Sequence, residues 1–410
     1  MSLLTTLYLL LSGVILYFLV QPFWMTLVSR FVRPTPTPPE EGIPPSGGVG
    51  GNTDFGCIIT AYRNCDIAEG LVKSLLAQTH DNYHVYLVAD NCDVSNWTLE
   101  DPRFTLLHPQ PALNLKAKSI IYADQRFVRP HDHTVIFDAD NLAHPRFLEE
   151  LNAYVNVGFR AVQGQRTAKN LDTLYACADA TGEFYKNYIE RLVPPLLGSS
   201  SVISGSGMSV ETELYRSYLY GPEIQEGQHK WKKMLQEDKI LQNHLLDRDE
   251  RIVYAWDAVV YDEKVTTGQA VETQRSRWLY SYFQNLPNSS RILRKGLTRF
   301  SWNQLIFGLV TIAPPLFIML GIALALIVPG IWLAPWMSAA LVAGLAIFSL
   351  NLLWTLKLSE APKPIWTTLW SLPLFVWNQV TALPKMLNPN RNFKHTEHKH
   401  VVQVEEVEEF

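Results

Sequence analysis

The sequence predicts a mostly parallel α/β domain tethered to membrane-spanning helices, and three observations carry that prediction. Residues 1 to 29 contain no Asp, Glu, Lys or Arg. From Phe55 onward, short β-branched and aromatic runs flank a helical pattern in the order strand, helix, strand that builds parallel sheets. The third is "VIFDADN", Val135 to Asn141, an apolar strand that ends in two aspartates one residue apart.

The first 29 residues include "LLTTLYLLLSGVILYFLVQPFWMTLV", longer than the roughly 20 apolar residues that cross a bilayer. A signal peptide would be shorter with a basic start, whereas here Arg30 and Arg33 follow the apolar run, so 1–29 reads as a transmembrane helix. Residues 30–53 are a Pro/Gly-rich linker whose composition cannot build a core. Within 54–273, "FGCIITAYRN" (Phe55 to Asn64) reads as a buried strand opening into a loop. "IAEGLVKSLLAQ" (Ile67 to Gln78) follows as an amphipathic helix, and "YHVYLVADNCD" (Tyr83 to Asp93) as the next strand. Ligands of such sheets bind beyond the carboxyl ends of the strands, where the loop Thr60 to Asn64, Asp90 and the Asp138/Asp140 pair all fall.

Residues 274–301 read as basic and aromatic interfacial helices. The uncharged block 302–356 is long enough for two spans, with "VPGIWLAP" (Val328 to Pro335) as the turn between them. A third hydrophobic block, 357–388, is interrupted by Pro373, Asn378 and Gln379, and is interfacial, re-entrant or spanning. A polar tail, 389–410, closes the chain. Lys and Arg flank the first span at Arg30 and Arg33 and the second at "RILRKGLTRF" (Arg291 to Phe300), which places the central region in the cytoplasm.

The chain has 410 residues and a formal net charge of -4, so bulk electrostatics provide no case for nucleic acid as a partner. Cys57, Cys65, Cys92 and Cys177 form no C-x-x-C pair and are expected as free thiols. "HDH" (His131 to His133) and "HTEHKH" (His395 to His400) lack a metal-site spacing and are read as surface histidines.

The aspartate pair is the chemical clue. In extended chain, residues i and i+2 project to the same side, so Asp138 and Asp140 can converge, and converging carboxylates repel unless a cation lies between them. Oxygen ligands of this kind suit Mg²⁺ or Mn²⁺; an acidic loop after a strand is the alternative. Further on stand "LQEDKIL", with Glu237 and Asp238 at a helix start where the dipole by itself favours acids, and "QRSRW", Gln274 to Trp278.

Asp90, D-x-D, E-D and Q-x-x-R-W, in that order on an α/β domain flanked by spans, resemble a family 2 inverting glycosyltransferase of the GT-A fold. The likeness is to the branch of cellulose, chitin, hyaluronan and poly-N-acetylglucosamine synthases and ceramide glucosyltransferase, over roughly Asp54 to Phe300. The resemblance implies a nucleotide-sugar donor, a UDP-sugar, with Asp90, Thr60 and Tyr62 around the base. It implies Asp140 on the metal and Asp138 on metal and donor, and Lys116 near the phosphates. "TAYRNCD" stands where the family has P-x-x-N-E. Asp238 corresponds to the base that deprotonates the acceptor, with Glu237 beside it. Arg277 corresponds to the cation on the departing diphosphate. Gln274 and Trp278, with Gly205, Gly207 and Met208 of "SGSGMS", would meet the acceptor. The expected acceptor is a growing glycan; the alternatives are single transfer onto a lipid, or a catalytically silent nucleotide-sugar binder. Three or four spans enclose a glycan channel only with a partner subunit or a second copy. The resemblance implies a multi-pass protein of the bacterial inner membrane.

Overall fold

A computed structural model of the chain describes residues 2–32, 51–230, 236–380 and 383. Most of the linker, all of the tail 389–410 and the histidines of "HTEHKH" lie outside the described residues. A long helix, α1 (Leu3–Ser29), precedes an α/β domain. Its elements run β1 (Phe55–Tyr62), α2 (Glu69–Leu76), β2 (Tyr83–Asp90), β3 (Phe104–Leu107), α3 (Lys116–Asp124), β4 (His133–Asp138), β5 (Leu142–Ala143), α4 (Phe147–Asn156) and β6 (Ala161–Ala168). There follow α5 (Leu174–Lys186), a π-helical stretch (Asn187–Leu192), α6 (Val193–Leu196), β7 (Met208–Glu211), α7 (Thr212–Leu219), α8 (Pro222–Lys230), α9 (Glu237–Asp247) and β8 (Ile252–Asp262).

The eight strands form one mixed, mostly parallel sheet in the order β3-β2-β1-β4-β7-β6-β8-β5. β1 pairs in parallel with both β2 and β4, while β7 runs antiparallel between β4 and β6. Every residue of β2 is buried, as expected of a strand covered on both faces. One apolar layer joins β1, β2 and β4 to α2 and α4; a second, on the opposite face, joins them to α3, α7 and α9. Register then places chemistry on one edge. Tyr62 lies opposite Asp90, and Thr60 opposite Asp138, so the ends of β1, β2 and β4 bring these residues together. Non-glycine residues with left-handed backbone, Arg63, Asn91 and Asn114, turn the chain at the same edge.

Beyond the sheet, α10 (Gly268–Arg299) is a single helix, so the boundary expected between residues 273 and 274 falls inside one element. α11 (Trp302–Thr311) folds back against it, and the pair comes close because glycines face backbone. A Cβ on Gly296 would lie 2.4 Å from the Leu305 nitrogen, and one on Gly308 would lie 2.6 Å from the Leu293 Cα. The block expected to hold two spans therefore begins with a separate ten-residue helix, stopped before Pro314 and Pro315, which cannot continue a donor ladder. α12 (Leu316–Leu333) and α13 (Pro335–Leu358) follow. Contrary to the expected turn over 328–335, α12 carries Pro329 within it and breaks only at Ala334. Among the described residues, α1, α12 and α13 are long and apolar enough to cross a membrane by length and composition. They pack on one another, with Gly344 against Leu16 and Leu19. The third hydrophobic block is broken into α14 (Lys363–Thr368), a 3-10 turn (Leu369–Ser371) and α15 (Leu372–Val380).

The four cysteines are free and buried, as the sequence predicts. The "HDH" histidines are not on the surface. His131 and His133 are both buried; His131 bridges Asp54 and the Tyr86 hydroxyl, and His133 meets the Ser209 hydroxyl. The β4 start that they flank is overlaid by β7 and by the chain before β1, which no local pattern announces.

Candidate active site

A cavity of about 1760 Å³ opens at the carboxyl edge of β1, β2 and β4 and extends towards the membrane-type helices. Thr60, Tyr62, Asp90, Lys116, Asp138, Asp140, Gly205, Glu237, Asp238, Gln274, Arg277 and Trp278 all line it. Gly207 and Met208 do not. Met208, expected at the acceptor, is instead a buried residue of β7 paired with Ile136, its side chain in the core. Gly207 has left-handed φ of 62° and donates its N–H to the Ile136 carbonyl, 2.8 Å away, so it shapes the loop from behind. Gly205 is the glycine at the cavity: with φ of 89°, its missing Cβ would lie 3.7 Å from the Asp238 Cβ. The left-handed backbone favours glycine here, while the 3.7 Å approach is an ordinary contact.

Lys116, at the start of α3, ties the motifs together. Its ammonium donates to Asp138 Oδ1 at 2.6 Å and to the Gly205 carbonyl at 2.9 Å, and lies 3.8 Å from Glu237 Oε1. Burial opposes its charge, but the Asp138 and Glu237 carboxylates outweigh that and hold its pKa above the ordinary value. Glu237 moves up as well. Burial pushes its carboxyl to about 7, with the neighbouring Asp238 adding to the rise and Lys116 opposing it. The Tyr218 hydroxyl donates to the Glu237 carbonyl at 2.6 Å and anchors the entry to α9.

Asp90 is buried at the end of β2, and its two oxygens accept the N–H groups of Leu113 and Asn114, each at 2.7 Å. Asn114 in turn accepts from the Tyr62 hydroxyl at 2.8 Å. The residues expected around a base therefore also fasten the loop that precedes Lys116. On α10, burial lowers the Arg277 pKa while Asp138, within electrostatic reach, works the other way. Trp278 is 38% exposed and lies beneath two cations, the Arg275 guanidinium at 4.2 Å and the Lys186 ammonium at 5.0 Å from its ring centroid.

Sequence reasoning missed a second set of charges on the far wall. Arg166 pairs with Asp262 and donates to the Ser204 carbonyl at 2.8 Å, fixing the loop that carries Gly205. Glu183 takes Arg191 at 2.5 Å and Lys264 at 3.8 Å, and Arg275 pairs with Asp179. In sequence these charges are scattered over β6, α5, the π-helical stretch, the end of β8 and α10, with no spacing that links them; the packing of these elements brings them together.

Asp138 and Asp140 fit a hard divalent ion in donor type. Among the described residues no group of three or more His, Cys, Asp or Glu side chains stands ready to enclose a metal. A pair of carboxylates suits Mg²⁺ or Mn²⁺, which take remaining oxygens from water and phosphates.

Over residues 53–281 the chain matches the family described as Glycosyltransferase like family 2. No curated protein matches it. Among solved structures it is similar to the mannosyltransferase PcManGT from Pyrobaculum calidifontis, in complex with GDP-Man and Mn2+, at 15% identity and a TM-score of 0.54. That match covers 92% of this chain and 99% of the other. A second likeness, to S. aureus TarS, has 13% identity, a TM-score of 0.42, and covers 85% of this chain and 56% of that one. At such identities the first likeness speaks for the fold alone.

Proposed function

The chain belongs to glycosyltransferase-like family 2, and from that premise we propose a membrane-embedded inverting transferase that moves a sugar from a nucleotide-sugar donor to an acceptor. The observation that carries this reading is the meeting of Asp138, Gly205 and Glu237 around the single ammonium of Lys116, inside one cavity. Asp90, Thr60 and Tyr62 take the nucleotide, with a UDP-sugar as the donor proposed. Asp138 and Asp140 would hold Mg²⁺ or Mn²⁺, which when bound supplies a Lewis acid against the diphosphate charge.

Asp238 is the base. Its carboxylate accepts the proton of the acceptor hydroxyl as that oxygen bonds to the anomeric carbon. The bond from that carbon to the diphosphate breaks, and the electron pair leaves with the diphosphate. Lys116 and Arg277 face the charge that develops on the leaving group, while Gln274 and Trp278 border the acceptor side. Glu237, buried against Lys116, modulates the charge beside the base.

The cavity's inner walls favour a lipid acceptor and a single transfer. Phe18 and Met25 of α1, Leu316 and Met319 of α12 and Phe348 and Leu352 of α13 line it, surfaces suited to an alkyl chain and poor in partners for a hydrated glycan. A growing glycan is the second reading, supported by the exposed Trp278 ring as a platform for a sugar face. The basic residues Arg30, Arg291, Arg294 and Lys295 support a cytoplasmic catalytic domain.

The test uses the full chain in lipid nanodiscs with Mn²⁺ or Mg²⁺, screened for nucleotide release across nucleotide sugars, with products sized by mass spectrometry and Asp238→Asn as control. One sugar on a lipid, lost in the variant, supports the lipid reading; a ladder of glycans moves the assignment to a synthase. No turnover with any donor, with and without lipid extracts, overturns catalysis by this chain alone.

A further inference from the structure

Lys186 has no role in the chemistry described above, yet it lines the same cavity. It is the last residue of α5, immediately before the π-helical stretch Asn187–Leu192, and such π segments recur at functional sites. Its neighbours divide it between two environments. On one side its ammonium stands 5.0 Å from the Trp278 ring centroid, at the acceptor end of the site. On the other, Tyr185 packs against Phe348 of α13 with ring centroids 5.7 Å apart, and Ile189 joins the same apolar cluster as Met25 and Met319. Lys186 thus stands where the polar chamber gives way to the apolar arm.

The charges around it are largely committed elsewhere. Arg275 is held by Asp179, and Glu183 by Arg191 and Lys264. Glu190, one turn on, attracts Lys186 without forming an ion pair with it. Among the described residues the Lys186 ammonium makes no hydrogen bond or ion pair; its one polar contact is the Trp278 ring face. Burial lowers its pKa, the expected response of an ammonium short of anionic partners. A cation in that position gains most from a ligand that brings a negative charge.

We propose that Lys186 and Trp278 form a headgroup subsite for an anionic lipid acceptor, with the negative group, a phosphate or carboxylate, on the Lys186 ammonium and the alkyl chain between α1, α12 and α13. The inference rests on the lipid reading of the acceptor and deepens it. Charge complementarity at Lys186 and the continuity of the cavity with the apolar walls argue for one amphipathic occupant rather than two separate ligands.

The test measures binding of dodecyl phosphate to the full chain in detergent, against dodecanol, dodecyl maltoside and inorganic phosphate. The expected result is a preference for dodecyl phosphate of roughly tenfold or more over each of the others, the size of a charge-assisted contact. Lys186→Gln removes that preference, and Lys186→Arg, which restores the cation, keeps it. Leu352→Trp, which fills the apolar arm, weakens dodecyl phosphate and leaves inorganic phosphate as weak as before. Equal affinity for dodecyl phosphate and dodecanol, or an unchanged preference in Lys186→Gln, overturns the subsite. Inorganic phosphate binding as tightly as dodecyl phosphate overturns the lipid as occupant. A parallel titration of the wild-type chain with UDP and Mn²⁺ separates the levels: nucleotide bound without alkyl phosphate sinks the subsite alone, whereas no nucleotide binding sinks the transferase reading beneath it.

Discussion

Asp238 and Glu237 are consecutive in the chain but stand in different surroundings, and two predictions follow from that difference. Asp238→Asn keeps the shape next to Gly205 and removes the proposed base, so single-turnover sugar transfer should fall by about a hundredfold to ten-thousandfold, with nucleotide affinity little changed. Glu237 titrates near 7 because burial raises it from its ordinary 4.5. A carboxyl with a raised folded pKa binds its proton more tightly folded than unfolded. The stability it contributes is therefore full below about 4.5 and is lost as pH rises towards 7. Thermal unfolding across that window should show wild type losing on the order of 2 kcal/mol relative to Glu237→Gln, which cannot ionise. A parallel pH dependence in the two proteins would remove Glu237 as the titrating group. The acids themselves were legible from motif order. Lys116 was expected near the phosphates from the resemblance, but its part in joining these acids was not legible, because it lies 22 residues from Asp138 and 89 from Gly205 along the chain.

At the scale of elements, α10 and α11 depend on two glycines where a helical pattern alone would accept alanine. Gly296→Ala adds a methyl 2.4 Å from the Leu305 backbone nitrogen, which cannot rotate aside. Overpacking of about 1–3 kcal/mol then meets a helix-propensity gain of up to about 1 kcal/mol, so the variant should lose thermal stability on balance. Gly13→Ala is the matched control: its Cβ would meet nothing within 4 Å, and the midpoint should hold or rise. The strands β1, β2 and β4 were readable from apolar runs. The antiparallel insertion of β7 between β4 and β6 was not, since four residues after a glycine-rich loop carry little pattern of their own.

Taken whole, the molecule places the cavity at one end of α1, α12 and α13, with the break at Ala334 at the other end of α12. If the catalytic domain is cytoplasmic, an impermeant maleimide should label Trp332→Cys, on an exposed residue near that break, in intact cells. Asn96→Cys, on the exposed surface of the α/β domain, should label only after the membrane is opened. The native cysteines are buried and provide a quiet background. Labelling of Asn96→Cys in intact cells would reverse the orientation.

The sequence by itself determined the parallel core, the three long apolar helices and the order of acidic and basic motifs, because periodicity, unbroken hydrophobic length and local spacing are properties of neighbouring residues. The tertiary structure decided what those residues meet. It placed Met208 in the core and His131 and His133 beneath the surface, and it gathered Asp138, Gly205 and Glu237 around Lys116. It also turned the scattered charges of α5 and α10 into a buried wall that continues into an apolar arm. Burial and electrostatic coupling depend on distances between segments far apart in the chain, and only the packing of the sheet against the helices sets those distances.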